Sequence, residues 1–166
     1  SPSRGLGDVY KRQLYNIYIM NLKEIQTMWK DDCKIDDIEL DASSLEVPRL
    51  HAKYAELLSE KKLSVIRYER QMKELNKDKW LWYGGKMSKD EIEEKSWDYD
   101  PFGGLTVLKS DYDKFTGADK EIQDLNDKLE YLRITVDVLS DIVSQITWRH
   151  QTIKNIIEWR KFMAGS

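Results

Sequence analysis

Ile122, Leu125, Leu129, Leu132, Val136, Leu139, Val143 and Ile146 recur in an unbroken 3-4 rhythm, and Ile153 and Ile157 resume it after His150. A strand would scatter these residues over both faces, whereas a helix stacks them into one stripe. The rhythm predicts a single helix of about 45 residues, roughly 68 Å long at about 1.5 Å per residue. That is longer than a small globule needs. The same segment carries a second apolar set, Ile134, Val138 and Ile142, followed by Trp148, Ile156 and Trp159. One stripe can pack on another helix of the same chain; the other needs a partner or lies in water. The expectation is self-association through Ile134, Val138, Ile142, Ile156 and Trp159. The alternative is that both stripes meet the rest of one chain.

A second long helix precedes it. His51, Tyr54, Leu58, Val65, Tyr68, Met72 and Leu75 follow steps of three and four, with Lys61 interrupting. Pro48 suits a first helical position, Ser43 or Ser44 could cap the turn before it, and Gly84 and Gly85 mark the end. These signals predict a helix over about 48–82. Leu22, Ile25, Met28 and Trp29 mark a short amphipathic helix, and "DDCKIDDIELDASS" reads as a solvated turn or loop. Residues 86–117 contain Pro101 and the pair Gly103-Gly104. They read as an acidic connector with one short helix near 88–96 and a turn at "DPFGG". The fold expected is all-α: two long antiparallel-packing helices, a short N-terminal helix and an irregular acidic connector at about 86–117, in one domain over 20–166.

The opening residues differ in character. "GDVYKRQ" at 7–13 reads as the translation of a transposase adapter used in sequencing libraries, so 1–19 is expected to be a non-native leader and Met20 the natural start. "LYNIYIM" after Lys11 and Arg12 is too brief an apolar run for a signal peptide, and no run approaches the roughly 20 apolar residues of a membrane span. Cys33 is the lone cysteine, which excludes an internal disulfide and fits a reducing cytoplasm.

Enzyme chemistry finds no support. The chain has no Gly-rich phosphate loop and no metal-ligand cluster, and its two histidines are His51 and His150. His150 falls on a heptad core position, where it reads as a register-setting residue. Asp31 and Asp32, the acidic neighbours before Cys33, disfavour a reactive thiolate. Asp31, Asp32, Asp36 and Asp37 read as a solvated run rather than a cation site. Neither a catalytic residue nor a cofactor is implied.

Charge is segregated instead. The formal net charge is -3, yet residues 61–89 hold nine Lys or Arg against three Asp or Glu. On a helix Lys62, Arg70, Lys73 and Lys77 share one stripe, and Lys79, Lys86 and Lys89 extend the basic region. Tyr68, Trp80, Trp82 and Tyr83 lie among them, concentrated in "KDKWLWYGGK" at 77–86. Cations that neutralise phosphates and rings that stack bases are what single-stranded nucleic acid requires. The competing reading packs Trp80, Trp82 and Tyr83 inward while the lysines snorkel. Residues 80 and 82 cannot share a helix face, so at least one ring is expected to be an anchor.

Four stretches carry a family resemblance: "MNLKEIQTMWKDDCKIDDIELDASSLEVPRLHAKYAELL" at 20–58, "KDKWLWYGGK", and the closing "ADKEIQDLNDKLEYL" (118–132) and "IKNIIEWRKFMAGS" (153–166). In order and spacing the chain resembles the UvsY family, the recombination mediators of T4-like bacteriophages, over about 20–166. The resemblance implies a helical, ring-like homo-oligomer in the cytoplasm of the infected host. It would bind single-stranded DNA and help a RecA-like recombinase displace a single-strand-binding protein. It also implies that the two basic residues before the aromatic stretch, here Lys77 and Lys79, bind DNA. This chain departs from the family pattern in having Asp78 between them, tryptophan at 80 and 82, and a second glycine. The nucleic-acid site expected comprises Arg70, Lys73, Lys77, Lys79, Trp80, Trp82, Tyr83 and Lys86. The alternative is an oligomeric helical scaffold that binds only proteins.

Overall fold

The structure, a computed structural model, describes residues 20–165; the leader expected at 1–19 lies outside them. Among the described residues there are helices and turns and no strand. In chain order they are α1 (Leu22–Asp32), α2 (Leu40–Leu45), α3 (Val47–Tyr83), α4 (Lys89–Glu94), a 3-10 turn at Lys109–Asp111, α5 (Tyr112–Gly117) and α6 (Lys120–Met163). At about 1.5 Å per residue α3 is roughly 55 Å long and α6 roughly 66 Å. Two compact units form, one from 20–63 and 133–165, the other from 64–132. α3 and α6 each contribute residues to both.

The first unit buries Ile25 of α1, Leu50, Tyr54 and Leu57 of α3, and Leu139, Ile142 and Ile146 of α6 in one cluster. α1 begins at Asn21, whose side chain accepts from the Glu24 amide while Glu24 accepts from the Asn21 amide. Both orphan donors are thereby satisfied. At its other end Arg149 donates to the Cys33 and Lys34 carbonyls at 2.9 and 2.7 Å. Asp32 joins α1 to α3, accepting from Lys53 at 2.6 Å and from the Tyr54 hydroxyl at 2.9 Å.

Several expectations are corrected here. α6 packs against two helices in this unit, α1 and α3, so its buried face is wider than a two-helix seam. It takes in Thr135, Leu139, Ile142, Ile146, Arg149 and Ile153. Ile142, assigned to the second stripe, is therefore in the core at 3 % exposure, and Val138 packs on it. Arg149 replaces His150 as the inward residue, and His150 is exposed with Nδ1 2.8 Å from the Thr147 carbonyl. Of the second stripe, Ile134 and Trp159 stand exposed and Ile156 is half-buried. The acid-rich loop contains a helix, α2, and α3 starts one residue before Pro48. Ser43 does not cap it: buried, its hydroxyl donates to the Asp36 carbonyl at 3.2 Å and accepts from the Asp36 amide at 3.1 Å.

In the second unit Ser88 and Glu91 cap α4 reciprocally. Asp100 closes the "DPFGG" turn by accepting from the Phe102 and Gly104 amides. The connector is less irregular than expected, because α5 follows the 3-10 turn. Phe102 organises it, with Tyr83, Tyr112 and Phe115 rings at 5.7, 5.0 and 5.0 Å.

Candidate nucleic-acid interface

The site is built on how α3 stops. Gly85 adopts φ +68, the left-handed conformation that suits glycine. The Gly85 and Lys86 amides bond back to the Trp82 and Leu81 carbonyls at 3.1 and 2.9 Å, the paired closure of a Schellman end. A Cβ at Gly84 would lie 3.0 Å from the Trp80 carbonyl oxygen. The reversal brings the Lys86 ammonium to 4.4 Å from the centre of the Trp80 ring.

The last turns of α3 then present two unlike faces. On the enclosed one, Lys79 is 3 % exposed. Its ammonium sits 4.6 Å from the Trp82 ring centre and 4.0 Å from that of Trp97. It forms ion pairs with Asp119 at 3.0 Å and Glu121 at 3.5 Å. Both indoles are held from behind: Trp82 Nε1 donates to the Asp98 carbonyl at 2.8 Å and Trp97 Nε1 to Glu121 at 2.7 Å. Trp97 is delivered by the end of α4, where Ser96 takes the left-handed φ of 57. The Trp97 and Ser96 amides return to Ile92 and Glu93.

Asp119 is the hinge of this arrangement. Its Oδ1 accepts from the Glu121 and Ile122 amides at 3.1 and 3.2 Å, capping α6 where the helix dipole favours an anion. Its Oδ2 accepts from the Tyr83 hydroxyl at 2.8 Å and faces Lys79. Burial pushes the carboxyl upward. The hydrogen bonds from Tyr83, Lys79 and the Ile122 amide, with the Lys79 charge, outweigh that and hold it below the ordinary value. Tyr83 moves the other way: burial, then its bond to Asp119, pushes the phenol up.

On the open face, Arg70, Lys73, Lys77 and Trp80 follow one another at steps of three, four and three, so they share a stripe. All four are exposed, and Trp80 is 61 % exposed. The stripe runs about 15 Å along α3. Asp78, the acid between the two expected phosphate ligands, is neutralised by Lys95 at 2.8 Å. Beside Trp80 opens a cavity of about 500 Å³, walled by Asn76, Trp80 and Lys86 and by Lys109, Tyr112 and Asp113.

The eight expected residues therefore divide. Arg70, Lys73, Lys77, Trp80 and Lys86 lie in the open. Lys79 and Tyr83 are buried and Trp82 half-buried, because Asp119, Trp97 and Glu121 enclose them. Sequence reasoning missed Trp97, Lys109 and Asp119. For Asp119 a signal existed: an aspartate directly before a periodic helix is a capping residue. Lys109 sits in a stretch without periodicity and gave none.

The family model described as "Recombination, repair and ssDNA binding protein UvsY" matches residues 28–166. The recombination protein uvsY of Enterobacteria phage T4 is 27% identical over 146 residues, which is 88% of this chain and 99% of that protein. Two crystal structures of the bacteriophage T4 recombination mediator protein UvsY share the fold. One has TM-score 0.73 and 28% identity, covering 87% of this chain and 98% of that one. The other has TM-score 0.71 and 26% identity, covering 84% and 98%. With most of its length matched by the family model and by these phage T4 proteins, the chain belongs to the UvsY family.

Proposed function

We propose that this chain is a recombination mediator that binds single-stranded DNA along the open face of α3. It would help a RecA-like recombinase displace a single-strand-binding protein in the infected host cell. One observation carries the site: an exposed Trp80 continues the Arg70, Lys73 and Lys77 stripe, with Lys86 over its ring. The cations meet phosphates, and the indole offers a face that any base can stack on. Lys79, Trp82 and Tyr83 hold this face in place from within. Membership of a family described as ssDNA-binding supports the reading, as does the naming of the T4 relative as a recombination mediator.

A ring-like homo-oligomer would repeat the stripe, so that several weak copies act together. Exposed Ile134, Trp148, Trp159 and Phe162 on α6 supply apolar surface for such assembly. Light scattering should give several times the 19.7 kDa chain mass, and Trp159→Asp should shift the assembly downward. A monomer at micromolar concentration refutes this part.

The DNA site is tested with a labelled oligonucleotide over a salt series. Lys73→Ala with Lys77→Ala should weaken binding and flatten the log–log salt slope by roughly 0.7 for each phosphate no longer neutralised. Unchanged affinity and slope reject the site. No binding by the parent protein leaves the scaffold reading in its place.

A further inference from the structure

The cavity beside Trp80 has walls that a simple basic track does not need. We propose that it is a pocket for one unstacked base of the bound strand, with Trp80 as its stacking face and Lys86 and Lys109 at its mouth for the neighbouring phosphates. This rests on the single-stranded DNA reading and deepens it.

Three observations point to that occupant. First, Trp80 stays 61 % exposed where Trp82 and Tyr83, its near neighbours, are packed into the unit. An indole left in water beside a cavity offers a flat apolar partner to whatever enters. Second, at about 500 Å³ the cavity falls within the range of pockets that enclose small organic groups, roughly 300–1,000 Å³. A track that only follows phosphates has no use for such depth. Third, its charged groups are mixed in a useful way. Lys86 and Lys109 suit phosphate oxygens, whereas Asp113 repels them and, as a carboxylate, can only accept hydrogen bonds, which suits the N–H donors of a base. Asn76 adds donor and acceptor capacity to the lining, and Thr116 an acceptor. A nucleotide answers this pattern: an anionic backbone for the lysines, and a base edge bearing N–H donors for Asp113 and Asn76.

The walls also have independent supports. Trp80 and Lys86 are set by the Schellman end of α3. Tyr112 is set by its packing on Phe102 at 5.0 Å. Thr116 is tied by its hydroxyl to the Tyr112 carbonyl at 3.0 Å. The pocket is thus formed before any strand arrives, which lowers the ordering cost of binding.

The experiment compares two probes with the full chain: an oligodeoxycytidylate, and an oligomer of the same length made of abasic residues. Both present the same phosphates. The parent protein should bind the base-bearing strand about five- to a hundred-fold more tightly. Trp80→Ala should bring the ratio close to one while keeping the salt slope, and Trp80→Phe should retain most of it. Trp80 is exposed, so both variants should fold, as thermal melting checks. A ratio of one in the parent, or a ratio that survives Trp80→Ala, overturns the pocket and the stacking on Trp80 while leaving the phosphate-driven binding of single-stranded DNA intact. Failure of both probes to bind the parent overturns the DNA reading beneath it.

Discussion

Two lysine–tryptophan pairs close the same helix end, and they are chemically alike at first sight. Lys79 lies 4.6 Å from the ring centre of Trp82, and Lys86 lies 4.4 Å from that of Trp80. What differs is the third partner. Lys79 meets the Asp119 carboxylate, with Trp97 closing over it, and is shut away from water. Lys86 has Trp80 beneath it and an open cavity alongside. A cation on an indole is therefore no sign of function by itself. An acid in direct contact converts the pair into a clasp, as Asp119 does for Lys79; Lys86, exposed on its ring, offers a surface that an anion can complete.

The contrast breaks most sharply in stability. Lys79→Met leaves Asp119 buried without its cation and should cost about 3–5 kcal/mol. Lys86→Ala should stay within about 0.5 kcal/mol of the parent. Urea denaturation of both variants measures the gap; equal costs would dissolve the distinction between the two pairs.

Acid gives the next effect. Asp119 is held below its ordinary 3.8 in the folded protein. The folded state thus releases that proton more readily than the unfolded chain does. Its stabilising contribution is complete above about 3.8 and fades as pH falls through the lower folded value. Asp119→Asn should remove this part of the acid limb, whereas Trp80→Ala should leave it in place. Melting temperatures between pH 5 and pH 2 separate them.

The smallest change sharpens the clasp. Ser96 holds φ 57, which costs a residue bearing a Cβ roughly 1–2 kcal/mol relative to glycine. Ser96→Gly should therefore stabilise by about 1 kcal/mol without moving Trp97, and Ser96→Val should destabilise. A loss of stability in the glycine variant would show that the serine side chain itself contributes.

The long helices were legible because their signals are local. Periodicity and Gly84-Gly85 placed α3 within one residue at each end, and the heptads implied nearly the whole of α6. The facing of α6 was not legible, since it depends on α1 arriving beside α3; that is why Ile142 and Arg149 point inward and His150 does not. α5 is too short to show a period. The basic-aromatic stretch was visible as a patch, but the roles within it were hidden. Lys77 and Lys79 look equivalent until Asp119, far along the chain, draws Lys79 into the interior and leaves Lys77 exposed.

That carboxylate has a further consequence for how such proteins can vary. Tyr83 and Asp119, 36 residues apart, are joined directly. Between them lie α4, the "DPFGG" turn, a largely exposed loop at 103–110 and α5, and the two feet of that segment are already pinned. Doubling such a loop adds only about 0.6 kcal/mol of closure entropy. The exposed stretch leading to Lys109 is therefore free to lengthen, shorten or change composition while both long helices keep their footing. That part of the cavity wall is exchangeable, and its charge can be retuned without rebuilding the scaffold that holds Trp80 and Tyr112.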